Sequence, residues 1–189
     1  MRYSDPKKIT NQIYQVGGPT TSNRKDGIVY LLDLGELVLI DSGSGEGFKR
    51  IISNIESLGF DPADIKLILV THGHFDHAGG ISRLKALTSA KVGMTREGWI
   101  EARRDAQKSQ GTPGAWTMPP AADFEIKDGE ILTVGDTHIQ AFSTPGHTWG
   151  TASYVYDVKD GKQTYKAITV GGLGLNAIDG PQQVEAYIN

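Results

Sequence analysis

The apolar positions along the chain fall into a strand-rich stretch, a helical middle and a second strand-rich stretch. QIYQV (12–16), GIVYLLDL (27–34) and ELVLIDSG (36–43) are β-branched or aromatic and punctuated by glycine, which predicts three strands. Gly35 between the last two implies a tight hairpin-like connection. From Gly47 the period changes: Phe48, Ile51, Ile52, Ile55 and Leu58 fall on one helical face, with Lys49, Arg50, Asn54 and Glu56 largely off it. Gly59 stops this helix, and DPAD turns the chain into IKLILVT, a strand apolar enough to be buried on both faces. A His-rich loop follows, then a helix over 80–88, a short strand AKVGM and a helix from about 95 to 107.

KSQGTPGAWTMPP (108–120) is rich in Gly, Pro and polar residues and reads as a long loop of the kind that is either mobile or functional. Strands return in FEI, EILTV, THIQAFST, TASYVYDV and YKAITVGG, and Gly135-Asp136 fits a two-residue hairpin turn. The order fits two mixed sheets packed face to face with helices outside, an α/β sandwich in four αββα layers, as a single domain over residues 1–189. A parallel doubly wound sheet is the alternative, and the successive adjacent strands of the second half argue against it.

Composition narrows the partners. With 189 residues the chain is long enough for a substantial core. A net charge of −3 disfavours nucleic acid and leaves a small molecule as the expected substrate. The absence of cysteine removes disulfides, thiolate nucleophiles and sulfur-based zinc sites, so any metal must be held by nitrogen and oxygen. The start, MRYSDPKKITNQIYQV, lacks the apolar region of a signal peptide, and no run reaches transmembrane length. As written, the protein is expected in the cytoplasm and not at a membrane; the expectation becomes periplasmic if a leader was removed.

The chemistry concentrates in LVTHGHFDHAGG (69–80), which holds three of the five histidines and follows directly on a buried strand. Loops at the carboxyl ends of strands are where sheets place their chemistry. Side chains two apart in an extended loop point the same way, so His72 and His74 can share one ion, and Asp76 and His77 can turn towards a second. The bland alternative is a polar loop whose histidines cap a helix or bind backbone, which this density of ligand types disfavours. His138 alternates with Ile139 and Ala141 and is expected to face solvent without a role.

HGHFDH resembles the His-x-His-x-Asp-His signature of the metallo-β-lactamase superfamily, and LVLIDSG upstream and STPGHTWG downstream resemble that family in the right order. The resemblance runs from about residue 12 to 178 and agrees with the αββα sandwich. It implies that His72, His74 and His147 bind a first metal, and that Asp76 and His77 belong to a second. It implies further that Asp41 is a carboxylate behind the ligands, orienting one of them or the loop. The implied chemistry is zinc-dependent hydrolysis of an amide, ester or thioester, with Asp76 orienting the attacking water and relaying its proton. Trp116 and Trp149 are candidate apolar walls of the pocket.

The pattern also breaks. Two-metal members usually add an acidic or Cys ligand and a late histidine after the PGHT turn, but here that stretch reads AITVGGLGLN and no histidine follows His147. The β-lactamase subclass with only His and Asp ligands manages without the bridging acid, whereas thioesterases or lactonases of the glyoxalase II kind commonly use it. The expectation is therefore one tight zinc, a second weak or absent, and β-lactam ring opening ahead of the glyoxalase II-like alternative. A third reading is a truncated metal-binding remnant without catalysis. PQQVEAYIN reads as the first turns of a helix, Val184 to Tyr187, where the family continues with a further strand and helix. The chain is thus expected to be C-terminally shortened, with an exposed apolar edge open to homo-oligomer contact.

Overall fold

The computed structural model describes residues 3–178 and 180–188. The first half builds β1 (Lys7–Lys8), β2 (Ile13–Gly17), β3 (Val29–Asp33) and β4 (Leu37–Ile40), then α1 (Phe48–Ser57), β5 (Ile65–Leu69), α2 (Phe75–Ala78), α3 (Ile81–Leu87), β6 (Lys91–Thr95) and α4 (Arg96–Ser109). The second half builds β7 (Phe124–Ile126), β8 (Ile131–Val134), β9 (Thr137–Ser143), β10 (Ala152–Asp160), β11 (Gln163–Thr169) and α5 (Pro181–Ile188). Strands β1 to β7 form one sheet in chain order, antiparallel up to β4 and parallel from β4 to β7. Strands β11-β10-β9-β8 form the second sheet, antiparallel throughout.

Two sheets, rather than one parallel sheet, agree with the sandwich and exclude the doubly wound alternative. Only the first is mixed; the second, expected to be mixed, is purely antiparallel because hairpins join its successive strands. Gly35 makes the β3–β4 connection with a positive φ of 88°, and Gly135-Asp136 closes the β8–β9 hairpin between paired Val134 and Thr137. Both are conformations that glycine reaches without strain. The helix expected over 80–88 is α3, capped by Gly80 and Thr88, and a separate single turn not expected from the sequence, α2, precedes it inside the His-rich segment.

Pleating sends alternate side chains of the first sheet to two cores. Leu31, Leu39 and Ile68 pack against Ile51 and Ile55 of α1, Ile81 and Leu84 of α3, and Trp99 of α4. Leu32, Val38, Ile40 and Leu69 face Ile139, Ala141, Tyr154 and Tyr156 of the second sheet. Each such fully buried aliphatic side chain contributes roughly 1.5–3 kcal/mol. The sheets are also tied at one end: the Tyr154 hydroxyl donates to the Val70 carbonyl at 2.8 Å, and the Ala152 N–H donates to the Thr71 carbonyl at 2.8 Å. These two bonds hold the start of β10 against the end of β5.

The outer face of the second sheet is different. Ile131, Gln140, Val155 and Ile168 lie in one row across its four strands, with Ile131 61% and Ile168 60% exposed. The closing helix reaches slightly further than expected and does not act as a cover there. It docks on the turn before β10, where the Gln183 amide donates to the Gly146 carbonyl at 2.7 Å and Tyr187 packs against Gly146. No helix among the described residues is long and apolar enough to cross a membrane.

Candidate metal centre

Three separate chain segments converge at the carboxyl ends of β4 and β5. β4 leads directly into Asp41, β5 runs on through Val70 and Thr71 to His72 and His74, and the β9–β10 turn carries His147. His74 is extended, so His72 and His74 aim the same way, and the single turn of α2 then swings Asp76 and His77 to the side. The ligand nitrogens of His72, His74 and His147 lie within 4.8 Å of one another. Their rings stand nearly perpendicular pairwise, with centroids 4.8, 4.7 and 4.9 Å apart, as three imidazoles do when they aim at one point.

Hydrogen bonding settles which nitrogens remain. The His147 Nδ1–H donates to the Gly174 carbonyl at 2.5 Å, leaving Nε2 as the lone pair. His72 Nδ1 sits 3.0 Å from the Thr71 hydroxyl, while its Nε2 is buried with no hydrogen-bond partner among the described residues. Burying such a nitrogen unpaired is costly. Burial, followed by the neighbouring His77, His74 and His147, pushes the His72 imidazole far below its ordinary pKa. Burial and then His147 lower His74. Both are therefore neutral at physiological pH, the form that ligates a cation. The donor set fits a metal ion.

His77 is held differently. Its Nδ1 lies 2.7 Å from Asp41 Oδ2, and its Nε2 lies 3.3 Å from Asp76 Oδ2. Burial alone pushes the His77 imidazole down, but the Asp41 carboxylate, helped by Asp76, carries its pKa up to about 10. Burial raises Asp76, and the hydrogen bond and charge of His77 more than reverse that, so Asp76 is ionised at neutral pH. Asp41 is buried and accepts from the Thr71 N–H at 2.7 Å and from its hydroxyl at 2.9 Å as well as facing His77. It is the one non-glycine with positive φ, 66°, among the described residues. A short polar side chain tolerates that left-handed backbone best.

Two glycines leave room for these rings. A Cβ on Gly27 would lie 2.6 Å from His77 Nε2, and one on Gly172 would lie 2.5 Å from His147 Cδ2. The histidines open on a cavity of about 1350 Å³ that is also lined by Tyr156, Tyr165, Leu173 and Ile28.

Neither tryptophan lines that cavity. Trp149 is 48% exposed, because its backbone N–H is drawn inward to Glu101 at 3.1 Å while the indole points out. Trp116 packs on the helix-side core and lines a neighbouring chamber of about 630 Å³, which meets the histidine cavity at Phe75. His138 is exposed on the outer face of β9. Sequence reasoning missed Thr71, Gly27, Gly172 and the tyrosine wall. The β10–β11 alternation marks Tyr156 and Tyr165 only as facing one side.

Comparison with known proteins places this geometry. A family model described as the metallo-beta-lactamase superfamily matches residues 27–160. Hydroxyacylglutathione hydrolase of Maricaulis maris is 31% identical over 136 residues, covering 72% of this chain and 44% of that protein. A probable metallo-hydrolase of Bacillus subtilis is 30% identical over 168 residues, covering 88% of this chain and 75% of its own length. The chain spans about half the length of the curated hydroxyacylglutathione hydrolases it matches. Among solved structures, the FEZ-1 metallo-β-lactamase of Legionella gormanii superposes with a TM-score of 0.82 at 28% identity, covering 99% of this chain and 73% of that one. BJP-1, a subclass B3 metallo-β-lactamase of Bradyrhizobium japonicum, does so with a TM-score of 0.82 at 29% identity, covering 98% and 71%.

Proposed function

The chain belongs to the metallo-β-lactamase superfamily, and from that premise we propose that it is a zinc-dependent hydrolase whose preferred substrate class is the β-lactam ring. The observation that carries this reading is the triad of His72, His74 and His147, with the His72 Nε2 buried and unpartnered beside a cavity of ligand size. Three nitrogen donors without sulfur suit zinc in an open catalytic site. Bound there, the ion supplies Lewis acidity toward the scissile carbonyl and brings the pKa of water to about 7.

The chain's own residues do the rest. Asp76, ionised and beside the triad, accepts the proton of the attacking water on its carboxylate and returns it to the leaving nitrogen. Asp41 and Thr71 hold the His77 and His72 rings at their Nδ1 atoms, so each aims Nε2 inward. Tyr156, Tyr165 and Ala167 offer an apolar wall that seats the substrate and sheds water. Asp76 and His77 already satisfy one another, so a second ion has to displace that contact and binds more weakly than the first.

Two features bear on the substrate. A Cβ at Gly172 would strike the His147 ring and one at Gly171 would lie 2.1 Å from the Ala152 carbonyl, so neither position accommodates a bridging acid. This supports the β-lactamase type with only His and Asp ligands. The named thioester hydrolases among the sequence relatives support the second reading, hydrolysis of a hydroxyacyl thioester. Zinc-loaded protein should be assayed with nitrocefin and S-lactoylglutathione. Nitrocefin turnover that disappears in His72→Ala is the expected result. Turnover of the thioester alone would favour the second reading, and turnover of neither would overturn the hydrolase assignment.

A further inference from the structure

α4 is joined to the His147 turn by more than packing. Glu101, only 9% exposed, accepts the Trp149 N–H on Oε1 at 3.1 Å and the Gly150 N–H on Oε2 at 3.2 Å. At the start of the same helix the Thr95 hydroxyl donates to the Gly150 carbonyl at 2.6 Å and accepts the Gly98 N–H at 3.1 Å. The Trp149–Gly150 segment is therefore gripped at both its N–H donors and at the Gly150 carbonyl. The approach is so close that a Cβ on Gly150 would lie 2.1 Å from the Gly98 nitrogen.

The same part of α4 meets the other ligand segment. A Cβ on Gly73, between His72 and His74, would lie 2.5 Å from the Gly98 carbonyl oxygen and 2.7 Å from the Ala102 nitrogen. The helix backbone is thus wedged between the two segments that carry the triad, and the distance between them is set by it. A carboxylate accepts hydrogen bonds at both oxygens and donates none, which matches two converging amides. Glutamine has the same volume but would turn an N–H₂ group towards one of those N–H groups. Filling space alone does not call for a buried charge at this position.

We infer that Glu101 is a positioning residue for His147: with Thr95 it fixes the Trp149–Gly150 segment on α4 and so sets the third histidine against His72 and His74. The inference rests on reading those histidines as metal ligands. It makes α4, which contributes no ligand, part of what determines metal affinity.

The test is zinc affinity by chelator competition and the visible spectrum of the cobalt(II)-substituted protein. Glu101→Gln is expected to weaken zinc by about 10- to 100-fold, the usual effect of losing a group behind a ligand, and to alter the cobalt bands. Thr95→Val, which attacks the same segment from the other side, is expected to act in the same direction, and Thr95→Ser to restore wild-type affinity. Ala106→Gly, buried in the same helix away from the turn, should lower the melting temperature and leave both metal readouts unchanged. Wild-type zinc affinity and cobalt spectrum in Glu101→Gln and Thr95→Val, whatever their melting temperatures, would overturn the positioning role alone. A wild-type protein that binds neither metal would overturn the metal-site reading, and this inference with it.

Discussion

Replacing Asp41 with Asn tests the arrangement behind the ligands, because it removes one charge and almost no volume. The backbone at 41 has a φ of 66°, which Asn tolerates about as well as Asp, so strain is held constant. The Thr71 N–H at 2.7 Å from Oδ1 requires an acceptor there, which turns the new N–H₂ group to the Oδ2 position, opposite His77 Nδ1. With a metal on Nε2, the His77 Nδ1–H would then face another donor. A hydrogen bond to a buried charged group contributes about 1.5–3 kcal/mol, and an unsatisfied buried donor costs about 1–3 kcal/mol. A loss of roughly 2–3 kcal/mol corresponds to a fall in melting temperature of roughly 4–12 °C for a chain of this size. Asp41→Ala should lose about 1–2 kcal/mol more, since Ala is strained in the left-handed region. Zinc titration of chelator-stripped protein should show the weaker, second binding phase reduced by about 10- to 100-fold and the first phase changed less. An unchanged melting temperature together with unchanged binding in both phases would refute the role given to Asp41.

Other outcomes follow from the same geometry. His147→Ala should lower zinc affinity about as much as His72→Ala, while His138→Ala, on the outer face of β9, leaves it unchanged; equal effects of all three would point to nonspecific binding. In the metal-free protein, the elevated His77 pKa contributes stability that is fully present below pH 6.5 and is lost as the pH rises through about 10. Thermal melts of stripped protein across that range should therefore decline, and saturating zinc, which takes the place of the proton, should flatten the decline. The outer-face row of Ile131, Val155 and Ile168, exposed at its two isoleucines, should bind a hydrophobic dye or drive concentration-dependent association, and Ile131→Lys with Ile168→Lys should reduce it; a dye-silent wild-type monomer in sedimentation would contradict this.

Much of this was legible in the sequence because the informative signals are local. The strand IKLILVT and the spacing of THGHFDH place two histidines and a carboxylate at a strand end without any tertiary information. The glycine-marked hairpins at Gly35 and Gly135 are equally local, since their backbone conformation selects the residue. His147 needed a family resemblance, because nothing near it reveals that β10 begins by bonding to Thr71. The tryptophans show the opposite failure. Trp149 is adjacent to His147 in sequence, but its side-chain direction is decided by Glu101 on a distant helix. Gly27 and Gly172 were unreadable for a similar reason, as the rings that exclude their side chains come from elsewhere in the chain. The docking of the closing helix is unreadable for the same reason, since Gln183 and Tyr187 tie it to the Gly146 turn, far away in sequence.

The most direct test of the account is zinc content after mild chelation, measured by elemental analysis on wild-type protein and on His72→Ala. The orphaned His72 Nε2 and the self-satisfied Asp76–His77 pair predict that wild-type protein keeps close to one zinc per chain and that His72→Ala keeps essentially none. Equal retention in the two proteins, or a wild-type protein with no zinc above the buffer level, would contradict the assignment of His72, His74 and His147 as the metal site.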